Sequence, residues 1–183
     1  VAHIEVEFDS VDFITIGTVG PKGRRQFYMQ FGTSEQMVAL TIEKEQAREL
    51  ARSLSEMLDD ILRRNPTLPG DTTDMNKLNM ELRDPIEPQF RVGQFGVAYA
   101  PDRDMVIIEA LELGGLSSLL REEADPDEGD DAEPNGDPEE EPSVARLWVS
   151  RVQLRALCTH ATAVVRQGRV DPQSNGRMLY YWT

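Results

Sequence analysis

Two short stretches carry the residue types that could do chemistry. Gly17-Thr18-Val19-Gly20-Pro21-Lys22-Gly23-Arg24-Arg25 sets three cations among three glycines. Glycine-rich turns can aim main-chain amides at an anion, and Lys22, Arg24 and Arg25 would add charge-assisted bonds to it. The loop falls between two strand-like segments rather than between a strand and a helix. It is therefore neither a P-loop nor a dinucleotide fingerprint, and a hairpin tip with solvated cations is its plainer explanation. The second stretch, Glu43-Lys44-x-Gln46, puts a carboxylate, an ammonium and an amide at a strand-to-helix junction. The same spacing also makes a helix cap, in which Gln46 reaches back to the amide of Glu43, although Glu is not a favoured cap residue. Ser150-x-x-Gln153 has the full form of a capping box. The candidate ligand-binding residues are thus Lys22, Arg24, Arg25, Glu43 and Lys44, with a small anion as the ligand they suit.

No other constellation of this kind is visible. His3 and His160 are the only histidines and Cys158 the only cysteine. They fall in different elements, so no zinc-ligand spacing and no Ser-His-Asp array can be drawn. No catalytic residue, metal or cofactor is assigned. Cys158 lies on the apolar face of a helical pattern and reads as a small buried hydrophobe rather than a nucleophile. His160 falls opposite that face, which predicts exposure, and His3 lies on the polar side of the first strand.

The elements that must position these residues follow from periodicity. Ile4, Val6 and Phe8 alternate with His3, Glu5 and Glu7, a half-buried strand. Val11 to Val19 is a second strand, and Gly20-Pro21-Lys22-Gly23 is turn chemistry. Phe27, Met29 and Phe31 alternate against Tyr28 and Gln30 in a third strand, and Gln36–Ile42 forms a fourth. Hairpin-length connections predict antiparallel neighbours. From Glu43 to about Arg64, Ala47, Leu50, Ala51, Leu54, Met57, Leu58 and Ile61 recur at helical spacing until Asn65-Pro66 ends the run. Residues 65–87 connect the halves, with a short helix expected within Met75–Leu82. Phe90–Ala100, Met105–Leu113 and Val144–Val149 are three further strands, and Ser150 opens a second long helix.

The chain reads as the same unit twice. Ile42 to Leu50 matches Val149 to Leu157 at a separation of 107 positions (42 to 149), and the apolar face of the helix continues the match: Leu50/Leu157, Ala51/Cys158, Leu54/Ala161. Ile16-Gly17 aligned with Val92-Gly93 would give 76 positions (17 to 93), the difference being near the length of an acidic insertion. The expected fold is α+β: an internally duplicated antiparallel sheet, four strands and a helix then three strands and a helix, with both long helices on one face. One domain, 1–183, is expected, with halves 1–64 and 88–168 and a C-terminal tail 169–183.

The chain has 183 residues, 39% of them apolar, which suits a sizeable core. Its net charge is −14. Residues 121–143 hold twelve acids and one base, so the remainder carries only −3. A like-charge block with Pro and Gly and no aromatic cannot offset its ordering entropy by burial, which predicts a disordered acidic loop. A charge of −3 on the body also disfavours nucleic acid as a partner, because phosphate contact needs clustered cations. There is no membrane-spanning run and no signal-peptide pattern, and the single cysteine fits a reducing cytoplasm.

Gly17-Thr18-Val19-Gly20-Pro21-x-Gly23-x-Arg25-x-Phe27-Tyr28-Met29-Gln30, then Ile42-Glu43-Lys44-x-Gln46, Phe90-Arg91-Val92-Gly93 and Gly168-Arg169, resemble the bacterial "domain of unknown function 3090" family. The resemblance implies no activity. Family members typically continue from Gly-Arg-Pro into a cysteine-rich, zinc-knuckle-like segment. Here Gly168-Arg169 runs into Val170-Asp171-Pro172-Gln173-Ser174-Asn175-Gly176 with every cysteine missing, so no metal site carries over. With no catalytic array, the sequence points to a non-enzymatic cytoplasmic binding or adaptor module, its partner a protein or a small anionic ligand. The alternatives are an enzyme acting on a phosphorylated or carboxylated small molecule, and single-stranded nucleic-acid binding.

Overall fold

The computed structural model describes residues 3–114 and 141–167. Its elements are β1 (Glu5–Phe8), β2 (Phe13–Val19), β3 (Gln26–Gly32), β4 (Met37–Ile42), α1 (Lys44–Arg64), β5 (Pro88–Ala100), β6 (Met105–Glu112), β7 (Val144–Ser150) and α2 (Arg151–Gln167). The architecture is α+β, four strands and a helix followed by three strands and a helix. Of the short helix expected after the connection begins, only a single 3-10 turn forms, Met75–Lys77. The acidic reading of 121–143 and the tail 169–183 lie outside the described residues, save Glu141–Ser143. Ser143 is buried, and its N–H donates to Glu112 Oε2 at 3.0 Å.

One seven-stranded sheet runs β1-β7-β6-β5-β4-β3-β2. It is mixed rather than wholly antiparallel. Two hairpin meanders, β2-β3-β4 and β5-β6-β7, are antiparallel, but β4 pairs parallel with β5 and β1 parallel with β7. The expectation that β1 and β2 are hairpin neighbours fails for the same reason: they stand at opposite ends of the order. Four residues join them, too few to cross a flat sheet at roughly 3.5 Å each. The sheet therefore curls until its ends meet. The Phe8 and Phe31 rings pack edge to face at 5.7 Å, and Asp12 N–H donates to Gly32 O at 2.8 Å.

Both helices cover one face. Ile14, Ile16, Met29, Leu40, Ile108, Leu147 and Val149 meet Leu54, Leu58, Leu154 and Leu157 in a common core. The opposite face of β2 and β3 is not the solvated face that alternation of Tyr28 and Gln30 predicts. Gln30 is fully buried, because the connection after α1 folds across it. Gln30 Nε2 donates to Arg83 O at 2.8 Å and its Oε1 accepts from Arg83 N–H at 2.8 Å. Thr15 Oγ1 donates to Met80 O at 2.5 Å, and the Arg83 guanidinium lies 3.5 Å from the centre of the Phe13 ring.

Gly17 has a steric reason in this contact. A Cβ there would stand 2.5 Å from Leu82 Cγ. Gly17→Ala is expected to cost about 1–3 kcal/mol through overpacking. Leu82→Ala in the same chain should recover most of that loss, as a double-mutant cycle followed by urea denaturation would show. Additive losses would mean that the connection does not rest on Gly17.

The two halves use matching pairings. Phe27 pairs with Ile42 as Val106 pairs with Val149, and Ile16 pairs with Met29 as Val97 pairs with Ile108. This register sets Ile16 against Val97, 81 positions apart (16 to 97), and corrects the alignment of Ile16-Gly17 with Val92-Gly93. The first-half hairpin tip is two residues longer than its counterpart, which sequence comparison could not apportion. The two helix starts, Lys44 and Arg151, keep the 107-position separation.

Each helix start also staples the other half. Gln46 Oε1 accepts from Glu43 N–H at 2.8 Å while its Nε2 donates to Val92 O at 3.0 Å. Gln153 Oε1 accepts from Ser150 N–H at 3.0 Å while its Nε2 donates to Val11 O at 2.7 Å. Both glutamines thus cap their own helix, as the sequence suggests, and with the other end of the amide hold a main-chain carbonyl of the opposite half, Val92 in β5 and Val11 just before β2. Val11 and Val92, the residues held, are both buried.

Candidate functional site

The pairing of β3 with β4 brings the hairpin tip to the start of α1. A cleft of about 190 Å³ forms between them, lined by Gly23, Arg25, Gln26, Phe27, Ile42, Glu43 and Lys44. Two stretches eighteen residues apart in sequence, Arg25 and Glu43, so share one site. The tip is shaped by Gly20 and Gly23, at φ +108° and +85°, where other residues are strained, and by Arg24 N–H donating to Pro21 O at 3.0 Å. Gln26 Nε2 donates to Ile42 O at 3.3 Å across the floor.

Of the five residues the sequence singles out, three line this cleft: Arg25, Glu43 and Lys44. Lys22 and Arg24 do not. They are exposed at the outer end of the tip, because only the residue next to the paired strand is carried inward. Arg25 is half-buried and makes no side-chain hydrogen bond or ion pair with another described residue. Glu43 pairs with Arg91 of β5, which sequence reasoning missed. The carboxylate of the cleft, Glu43, is thus engaged from β5.

The matching place in the other half is closed. Extending the register Phe27↔Ile42 sets Arg25 opposite Lys44; extending Met105↔Ser150 sets Asp104 opposite Arg151. There the carboxylate and guanidinium meet. Arg151 Nε donates to Asp104 Oδ1 at 2.7 Å, and its second amino group donates to Asp104 Oδ2 at 2.8 Å and to Pro69 O at 3.0 Å. Tyr99 Oη donates to Asp104 Oδ1 at 2.8 Å. The Arg151 bonds hold the Asp104 carboxyl below the usual range against the opposing effect of burial, with Tyr99 assisting. Burial, then the Asp104 bond, pushes the Tyr99 hydroxyl up.

A second cleft, about 210 Å³, lies between α1 and β5, bordered by Gln46, Glu49, Leu50, Ser53, Phe95 and Val97. In the other half α2 packs on β2, with the ring of His160 near the main chain of Ile16. His160 is thus half-buried rather than exposed as its place opposite the apolar stripe suggests, and burial lowers its pKa against the opposing effect of the Ile16 main chain. Ser53, 107 positions before His160, is too short to make that contact, and the groove remains. Cys158 is buried among core residues, its thiol pushed up to about 11 by burial. A thiol so placed is a poor nucleophile.

Among the described residues no group of three or more His, Cys, Asp or Glu side chains is placed to hold a metal ion. Among them, no helix is long and apolar enough to cross a membrane. Fold and cleft together define an α+β protein with a small, cation-bearing surface site. A family model, that of the proteins of unknown function DUF3090, matches residues 6–175, and the chain belongs to that family. No curated protein matches the chain, and no solved structure does.

Proposed function

We propose that this protein is a non-enzymatic binding module that holds a small anionic ligand in the cleft between the β2–β3 tip and the start of α1. The observation that carries this is the convergence of Arg25 and Lys44 on one concave surface while the cleft's carboxylate, Glu43, is engaged by Arg91. Cations gathered in a partly desolvated cleft attract an anion more strongly than the same cations on an open surface. The single buried cysteine fits a bacterial cytoplasm as the setting. The matching glutamine staples and pairing registers support descent from a duplicated unit in a one-domain chain.

Amide-resolved titration tests the proposal. Inorganic phosphate, sulfate, acetate and citrate are added in turn to the labelled protein. Saturable shifts should gather on Gly23, Arg25, Gln26, Glu43 and Lys44. Shifts confined to Lys22 and Arg24, or none that saturates, would overturn it. An enzyme acting on a phosphorylated or carboxylated small molecule has one observation in its favour, the Glu43 carboxylate at the edge of the same cleft. Turnover of a phosphate-ester or carboxylic-ester panel that is lost in Glu43→Gln would replace the binding module with that enzyme.

A further inference from the structure

We infer that the groove between α1 and β5 is a binding site for one small, uncharged heteroaromatic ring, seated where the other half of the protein keeps the imidazole of His160. The groove is separate from the anion cleft, and the inference stands or falls apart from that cleft's ligand. Its ground is the protein's comparison with itself. Ser53 stands 107 positions before His160 on the corresponding helix (53 to 160). Phe95 and Val97 stand 81 positions after Ile14 and Ile16 on the corresponding strand (14 to 95, 16 to 97). Beside His160 the strand is covered, with Ile14 3% exposed and Ile16 fully buried. Beside Ser53, Phe95 and Val97 are only partly buried, and a groove of about 210 Å³ lies against them.

The volume fits one ring. An apolar cavity of about 150 Å³ holds a benzene-sized molecule, so this groove takes a five- or six-membered ring with a short substituent. The lining suits an aromatic one. Leu50 and Val97 offer apolar surface, and Phe95 offers a ring where the other half has Ile14. Offset or edge-on pairing with Phe95 adds to what burial of area alone supplies. The polar border suits a ring nitrogen. Ser53 Oγ donates to Glu49 Oε1 at 3.2 Å, so its oxygen is left to accept from a ring N–H. A second ring nitrogen would meet the main chain of Val97, as the His160 ring lies near that of Ile16. Glu49 is engaged by Arg52 through both carboxylate oxygens, so its charge is already met and a neutral ring is the match.

The closing experiment uses the full chain and two variants. The probe is 4-methylimidazole, a histidine side chain cut at Cβ, titrated at about pH 8.5 where an imidazole is uncharged. The Gln46, Leu50, Ser53, Phe95 and Val97 amides are the reporters. They should shift saturably, with a dissociation constant on the order of millimolar, as so few atoms can supply. Ser53→His provides its own imidazole, and Ser53→Leu fills the groove with a good helix former. Either should weaken the probe about tenfold or more, and Ser53→Leu carries the test by itself should Ser53→His fail to fold. Cyclopentanol, of like size but without a π face, should bind the unaltered chain several-fold more weakly. Groove amides that do not shift saturably would overturn the inference. Binding undiminished by filling the groove would place the ring elsewhere and overturn it too. Cyclopentanol binding as tightly as 4-methylimidazole would overturn the assignment of an aromatic ring.

Discussion

Asp71→Ala should destabilise the protein by about 3 kcal/mol or more, the cost of leaving one member of a buried pair without its partner. Asp71 is 2% exposed in the connection after α1. Its two oxygens accept from Arg155 Nε at 3.1 Å and from an Arg155 amino group at 3.0 Å. Arg155 stands on α2 and also bonds Asp59 at 2.8 Å and Ser55 at 3.3 Å on α1. One guanidinium thus ties both helices to the connection that goes on to cover Gln30 and Gly17. Asp59→Ala is the control. Its side chain is 67% exposed, so its loss should stay within about 1 kcal/mol. Urea denaturation with an unchanged slope gives both values. Equal losses for the two aspartates would mean that Arg155 gains nothing from burial and that the connection is held elsewhere.

What the sequence made legible was local. Alternation in Phe27, Met29 and Phe31, helical spacing in Leu50, Leu54 and Leu58, and the glutamines three residues after Glu43 and Ser150 each concern neighbours a few positions apart. Their elements lie within two or three residues of where the pattern puts them. What was illegible depends on distant partners. Nothing in Glu5–Phe8 announces a parallel pairing with Val144–Leu147, since an edge strand carries the same alternation whichever partner it takes. Gln30 sits at a polar position of its strand and is buried only because Met80–Arg83 crosses it from 50 residues downstream. The site divides in the same way. Arg25 and Glu43 could be named as residue types, and a hairpin register brings them together. The Glu43–Arg91 pair and the Asp104–Arg151 counterpart span 48 and 47 residues, and only the assembled sheet connects them. The repeat was visible at the helices, where no insertion intervenes, and misregistered at the first strands, where unequal tips hide the match.

Leu157→Ala should cost more than Leu50→Ala, although the two residues are counterparts 107 positions apart. Truncating a buried leucine costs the lost transfer energy plus a cavity term that grows with how little the surroundings can relax. Leu157 is 1% exposed on α2, which packs onto β2 with half-buried His160 near Ile16. Removing its side chain leaves an enclosed void, and a loss near the upper end of about 2–5 kcal/mol is expected. Leu50 is 5% exposed and borders the groove of about 210 Å³ that Ser53 leaves between α1 and β5. Its truncation enlarges a space already open to water, so the cavity term shrinks and the loss should fall near the lower end of the same range. Filling the groove gives the converse. Ser53→His puts into the first half the residue that the second carries there, and should make Leu50→Ala as costly as Leu157→Ala when both are introduced into that background. Equal losses for the two leucines in the unaltered chain would show that the groove closes in solution. A larger loss for Leu50 would place the tighter helix-to-strand contact in the first half and reverse the asymmetry on which the groove depends.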